Sequence, residues 1–214
     1  TGYEGNGVVL DRIDQHPKLS AEQIKQFKEQ FGIKDEFLFL MAARYEPVKN
    51  HKMSIEAVKL IKSDIPFKIL LAGFGPLEEQ IKEQVKNNHL DHHFIFLGYR
   101  NDILNLLQIV DAVLLTSEKE GIPRILMEAM AMSKPVLATN VLGTRELVVH
   151  KQTGEMVELN NVHELSEAIK KWVNPAFKGQ LQKYGYEGRA RIEKHFTEEQ
   201  VAHRIDHFYR QLII

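Results

Sequence analysis

Two glutamates, Glu120 and Glu128, bracket the stretch EGIPRILME, with seven residues between them. Pro123 lies in that interval and is placed to open a helix at or near its first position, where its fixed φ suits the first turn and its missing N–H is no loss. The start of such a helix carries free N–H groups and a partial positive charge, which suits a phosphate. Glu128 would then sit about one and a half turns inside the helix, at ~3.6 residues per turn. A carboxylate accepts hydrogen bonds and cannot cancel phosphate charge, so its natural partners are hydroxyls, as on a sugar or a ribose. Upstream, ARYEPVKN holds two cations, Arg44 and Lys49, at a spacing that could grip a polyanion. AGFGP holds Gly73 and Gly75, where a missing Cβ lets backbone approach a ligand closely. Cations and a helix N-terminus for phosphates, with carboxylates for hydroxyls, describe a sugar nucleotide site.

Each of these residues also has a plainer explanation. Arg44 and Lys49 belong to types that are mostly exposed on any surface. A lone G-x-G is common, and the full G-x-G-x-x-G fingerprint is absent. Glu78 and Glu79 follow Pro76 in the first turn of a helix, where acids complement the dipole. That argument could cover Glu120 as well, but Glu128 is too deep for it. Glu118 reads as a solvated loop charge.

Strand-like and helix-like runs alternate and must position these groups. The strand-like runs are 37–43 (FLFLMAA), 67–73 (FKILLAG), 93–98 (HFIFLG), 111–117 (DAVLLTS), 134–140 (KPVLATN) and, more weakly, 154–159 (GEMVEL). Between them lie amphipathic runs such as PLEEQIKEQVK, with Leu77, Ile81 and Val85 on one face, and NDILNLLQIV, with Ile103, Leu106, Leu107 and Val110. The stretch at Glu120–Glu128 supplies another helix, and TRELVVH a short one. Two or three helices close the chain, one carrying Leu165, Ala168, Ile169 and Trp172 and the last carrying Val201, Ile205, Phe208 and Leu212. Such alternation of apolar strands with helices predicts a Rossmann-like α/β/α sandwich around a six-stranded parallel sheet. In that architecture ligands bind outside the carboxyl ends of the strands, where Arg44, Lys49, Gly73, Tyr99, Arg100, Glu120 and Glu128 all fall. Residues 1–15 read as a hinge or connector, and residues 16–214 as one domain with C-terminal helices over 161–214.

Composition narrows the classes. The 214 residues carry a net charge of −1, with 43% hydrophobic and 27% charged residues. The basic excess of a nucleic-acid binder is missing. There are no cysteines, so a disulfide framework and a zinc–thiolate site are excluded, and a reducing cytosol is the fitting compartment. No apolar run reaches the ~20 residues that span a bilayer, and no signal peptide is visible. His203 and His207 are spaced i, i+4 in HRIDH, but the Glu of H-E-x-x-H is absent, so no metal is expected. Neither a G-x-S-x-G elbow nor a P-loop is present. The first residue is Thr1, which points to a processed product or a piece of a longer chain.

With these motifs in place, the chain resembles the C-terminal, donor-binding domain of GT-B fold retaining glycosyltransferases, the glycosyl transferases group 1 family (family four). NGV at Asn6 to Val8 is similar to that family's hinge entry. ARYEPVKNH is similar to its Arg…Lys segment, LLAGFGPLEEQI to its GxGP turn, EGIPRILMEAMAMSKPVLAT to its glutamate–x7–glutamate signature, and GTRELVVHKQTGEMVE to the segment after it. The resemblance implies a retaining transfer of a sugar from a nucleotide diphosphate sugar, with UDP-sugar favoured, to an acceptor hydroxyl in polysaccharide or glycoconjugate synthesis. It implies that Arg44 and Lys49 hold the diphosphate and stabilise the leaving group. Glu120 would bind hydroxyls of the sugar, Gly121 and Ile122 would add backbone contacts, and the N–H groups of Ile125 and Leu126 would meet the phosphates. Glu128 would bind the ribose, Tyr99 and Arg100 would flank the base, and Gly73 would leave room for the donor. No cofactor and no metal are implied. The implied partner is an acceptor domain ahead of this one, which would also carry any membrane contact. Phe74 departs from the family, where an acidic residue often stands between the glycines, and Leu142 stands where it commonly has a glycine. Two further readings stay open: a sugar nucleotide epimerase of the same overall fold, and a non-catalytic nucleotide-sugar-binding module.

Overall fold

The computed structural model describes residues 7–61 and 65–212, without side-chain detail at residues 204, 207–209, 211 and 212. Asn6 of the expected hinge entry and the side chains of His207, Phe208 and Leu212 lie outside the described set. Six strands form one sheet: β1 Phe37–Ala42, β2 Phe67–Ala72, β3 Phe94–Gly98, β4 Ala112–Leu115, β5 Val136–Thr139 and β6 Glu155–Val157. Every pairing is parallel, in the order β3-β2-β1-β4-β5-β6. The helices are α1 Leu10–Asp14, α2 Ala21–Gln30, α3 His51–Lys59, α4 Glu78–Asn87, α5 Ile103–Ile109, α6 Arg124–Ala131, α7 Leu142–Leu147, α8 Val162–Val173, α9 Lys178–His195 and α10 Glu198–Leu212.

The sheet is apolar on both faces because both are covered. Successive strand side chains alternate sides. Phe39 and Met41 of β1 therefore join a core with Met53 of α3, Ile81 of α4 and Trp172 of α8. Leu38 and Leu40 join the opposite core with Leu106 of α5 and Met130 of α6. The expected α/β/α sandwich is thus the observed one. One buried acid interrupts the apolar layer at the sheet edge. Glu155 of β6, 6% exposed, accepts from the indole N–H of Trp172 at 2.7 Å and pairs with Lys171, so neither buried polar group is unsatisfied.

Four differences from the sequence expectation have local causes. The connector of residues 1–15 is helical over Leu10–Asp14, with Ile13 buried and Asp14 held by Arg189 at 2.7 and 2.9 Å. Val8 bridges to Thr197, and its N–H donates to Phe196 O at 2.8 Å. The glycine-rich character that suggested a linker ends at Gly7, and the apolar residues after it pack. Helix α2 was not foreseen, although Ser20 and Gln23 form a capping box, a signal the sequence carries openly. Three of the six strand-like runs, 111–117, 134–140 and 154–159, extend beyond both ends of the strands they predicted, because they take in flanking polar and turn residues such as Asp111, Ser117, Asn140 and Gly154 where the ladder has already ended. Helix α7 starts two residues before TRELVVH and stops at Leu147, while His150 bridges to Gly154.

Candidate functional site

The sheet order turns between β1 and β4: β2 and β3 lie to one side, β5 and β6 to the other. The loops leaving β1 and β4 flank that switch point at the carboxyl ends, where open parallel sheets bind ligands. They carry Lys49 and Glu120. The Lys49 Nζ lies 2.7 Å from Glu120 Oε1, and the two side chains are 23% and 11% exposed. The sequence separates them by 71 residues, and the switch point brings them together. The loops are pinned to each other. Thr116 Oγ1 donates to Asn50 O at 2.9 Å, and Glu118 N–H donates to Val48 O at 2.8 Å. Asn50, left-handed with φ 48, caps α3 by accepting from Met53 N–H.

His51 opens α3 directly beneath this loop. It is 3% exposed, its ring stands edge-on to Tyr45 at 5.0 Å, and neither nitrogen has a hydrogen-bond partner among the described residues. Burial first, and then the nearby Lys49 charge, push its pKa down to about 4. The neutral ring is therefore favoured by folding. That stability is present in full above pH ~6.5, the pKa of the unfolded chain, and is lost as pH falls towards 4. At 1.36 kcal/mol per pKa unit the loss is about 3 kcal/mol. Denaturant unfolding between pH 8 and pH 4 should show this slope in the wild-type chain, and His51→Leu should flatten it.

Arg44 is 61% exposed on its side chain and pairs with Glu46 at 2.8 Å. Its guanidinium carbon lies 6.0 Å from the centre of the Phe74 ring. Gly73, assigned the task of leaving room for a donor, has a nearer reason to be glycine: a Cβ there would stand 2.0 Å from Ala43 O. Gly143 is under the same constraint, since a Cβ would stand 1.1 Å from Gly121 O. The turn at Glu120 and Gly121 therefore rests on the first turn of α7.

Pro123 is the N-cap of α6, one position earlier than helix entry, and provides no side-chain cap. Leu126 N–H already donates to Pro123 O at 3.1 Å, and its side chain is buried. Ile125 lies within the first turn, where helical N–H groups lack intrahelical acceptors, so of the two expected phosphate donors it is the available one. Ile122 is partly buried against the apolar core and Gly121 is exposed. Glu128 is 15% exposed and pairs with Arg124 at 3.0 Å. Tyr99 is 69% exposed and meets Phe74 edge-on at 5.5 Å. The Arg100 side chain is committed to Asp102 through two contacts of 2.8 and 2.6 Å, so any contact it makes to a base would come from its backbone.

A cavity of about 430 Å³ joins several of these groups: Arg44, Gly73, Tyr99, Arg100, Ile125 and Glu128 line it, with Phe74, Arg12 and Arg124. Lys49 and Glu120 are not among its lining residues. A larger cavity, about 780 Å³, lies at the amino-terminal edge of the sheet beside Phe37, Asp111 and Lys134. It touches none of the predicted residues. Sequence reasoning passed over Arg124 and Arg12. Arg124 left a signal: a cation in the first turn of a helix opposes the dipole and calls for a partner, which Glu128 provides.

Known proteins share this chain's sequence pattern and its fold. The profile of the family described as Glycosyl transferases group 1 matches residues 23–191. The chain is 32% identical over 154 residues to N-acetyl-alpha-D-glucosaminyl L-malate synthase of Bacillus anthracis, covering 72% of this chain and 40% of that protein. Its fold superimposes on a glycosyltransferase from Rickettsia africae with a TM-score of 0.85 and 25% identity, over 97% of this chain and 56% of that one. It also superimposes on Anabaena Alr3699/HepE, solved in complex with UDP-glucose, with a TM-score of 0.82 and 24% identity, over 96% of this chain and 56% of that one. The chain belongs to the glycosyl transferases group 1 family. It spans about half the length of the relatives it matches.

Proposed function

We propose that this chain is the donor half of a glycosyltransferase, binding a nucleotide diphosphate sugar, with UDP-sugar preferred, for transfer to an acceptor hydroxyl with retained configuration. The observation that carries the reading is the Lys49–Glu120 pair at the β1/β4 switch point, with Glu128 eight residues further on lining the adjoining cavity. Charge builds on the diphosphate as the glycosidic bond breaks. Lys49, Arg44 and the first turn of α6 would stabilise it electrostatically, the work a divalent ion does elsewhere, so no metal or cofactor is needed. Glu120 would bind the sugar and Glu128 the ribose. The Anabaena protein, of the same fold, binds UDP-glucose, which supports the choice of nucleotide. The acceptor would come from a second domain, and sugar transfer by this chain alone should be negligible.

Titration calorimetry with UDP tests the reading. Binding is expected in the wild-type chain. Glu128→Ala should weaken it roughly tenfold or more, the order of two lost charge-assisted hydrogen bonds. Equal affinity in Glu128→Ala, or no UDP binding in the wild type, would sink the assignment.

A further inference from the structure

Resting on the proposed donor site, we infer that Phe74 is a positioning residue for Arg44: its ring holds the guanidinium without neutralising it, and so leaves that charge to a diphosphate. Arg44 stands between two neighbours of different kind. Glu46, on its own loop, gives it a carboxylate at 2.8 Å. Phe74, on the loop leaving β2, gives it an aromatic face at 6.0 Å. Among the described residues Glu46 is its one acidic partner within ion-pair distance.

The placement of Phe74 is fixed by backbone. Phe74 O accepts from Tyr45 N–H at 3.0 Å, and Gly73 N–H donates to Gly98 O at 2.9 Å. On either side a Cβ would strike the neighbouring chain, Ala43 O at position 73 and Tyr45 O at position 75. The turn is therefore packed directly against the backbone of the loop leaving β1. Whatever side chain stands at position 74 leaves the backbone beside Arg44. Here it is a ring 49% exposed, propped edge-on by Tyr99 at 5.5 Å and 79°.

The physical difference between a ring and an acid at that position is one of charge. A guanidinium over an aromatic face is attracted by the ring quadrupole, and its net charge stays at +1. A carboxylate there would be a second counter-ion in competition with a phosphate for the same planar fork. The ring also limits the conformations of a long, exposed side chain, so less freedom remains to be lost when an anion binds.

A double-mutant cycle tests this, with UDP affinity measured by calorimetry for the wild-type chain, Phe74→Asp, Arg44→Ala and the two combined, and thermal melts confirming the fold of each. Phe74→Asp should weaken UDP binding roughly three- to tenfold when Arg44 is present, as suits an exposed ion pair. It should weaken it less than about twofold in the Arg44→Ala background, because the effect runs through Arg44. Phe74→Leu, which keeps bulk and removes the ring face, should fall between wild type and Phe74→Asp. Equal losses in both backgrounds would overturn the inference and make Phe74 a direct contact to the base. An unchanged affinity in Phe74→Asp would overturn it as well, while leaving the donor site standing. A wild-type chain that binds no UDP would remove the donor site, and this inference with it.

Discussion

Lys49→Ala should abolish most of the diphosphate affinity, while Glu120→Gln should leave UDP binding unchanged or tighter. The two residues form one ion pair at 2.7 Å, yet the reading gives them opposite roles toward UDP. Lys49 is the phosphate ligand. Glu120 is a competitor for Lys49 until a sugar arrives for it to bind. A bare diphosphate offers nothing to Glu120, so removing its charge frees Lys49 at no cost. With a UDP-sugar the order changes, and Glu120→Gln should then weaken binding, because the sugar loses an acceptor of its hydroxyl hydrogens. In a two-domain enzyme carrying this chain, Lys49→Ala should slow transfer by roughly 10²–10³, the scale of one preorganised electrostatic contact to a developing charge. Lys49→Arg should not restore it fully, since a planar fork does not replace a compact ammonium in a site this enclosed. Calorimetry with UDP and with UDP-sugar separates these cases. Parallel losses of UDP binding in Lys49→Ala and Glu120→Gln would show the pair to be a structural tie between two loops.

Gly143→Ala should be the most disruptive single methyl in the site. A Cβ at that position would stand 1.1 Å from Gly121 O and 2.7 Å from Glu120 O. No rotamer relieves such a clash, because both partners are backbone. Either α7 or the Glu120–Gly121 turn must move by an ångström or more, and Gly143 is buried. Overpacking of this kind costs about 1–3 kcal/mol in ordinary cores, and backbone against backbone belongs at the upper end. Donor binding should be lost with the turn. Gly121→Ala is the contrast: nothing lies within 4 Å of a Cβ there. It should leave the unfolding free energy from urea titration within about 0.5 kcal/mol of wild type and affect only the affinity for a UDP-sugar, where a methyl would meet the ligand. A Gly143→Ala chain as stable as wild type would show that α7 is free to retreat from the turn.

Much of this was legible before folding was considered. Apolar runs too rich in Val, Leu, Ile and Phe for a one-sided strand gave a parallel sheet covered twice, because unbroken apolarity is stable only when both faces are buried. The glutamate spacing, the cations after the first strand and the helix opened near Pro123 were legible as groups at the strand exits, and the phosphate-and-hydroxyl role they suggest is what UDP binding tests. Helix α2 was legible too, through its Ser20–Gln23 capping box, and was missed. The helical part of the presumed connector was hidden by the glycines ahead of it.

What the linear sequence could not decide was which charges meet. Lys49 and Glu120 are on different loops and become partners only because β1 and β4 are neighbours in a sheet whose order reverses there. Arg44 and Phe74 meet because two adjacent parallel strands end together and the glycines at 73 and 75 let their exit loops touch. Gly73 looks like room for a ligand in the sequence, and the structure gives it a further reason to be glycine, the backbone of Ala43. Residue types fix what chemistry a chain can do, because charge and hydrogen-bonding capacity are local properties. Which groups share a crevice is a matter of strand order and register, and distances across a sheet exist only once the sheet has formed.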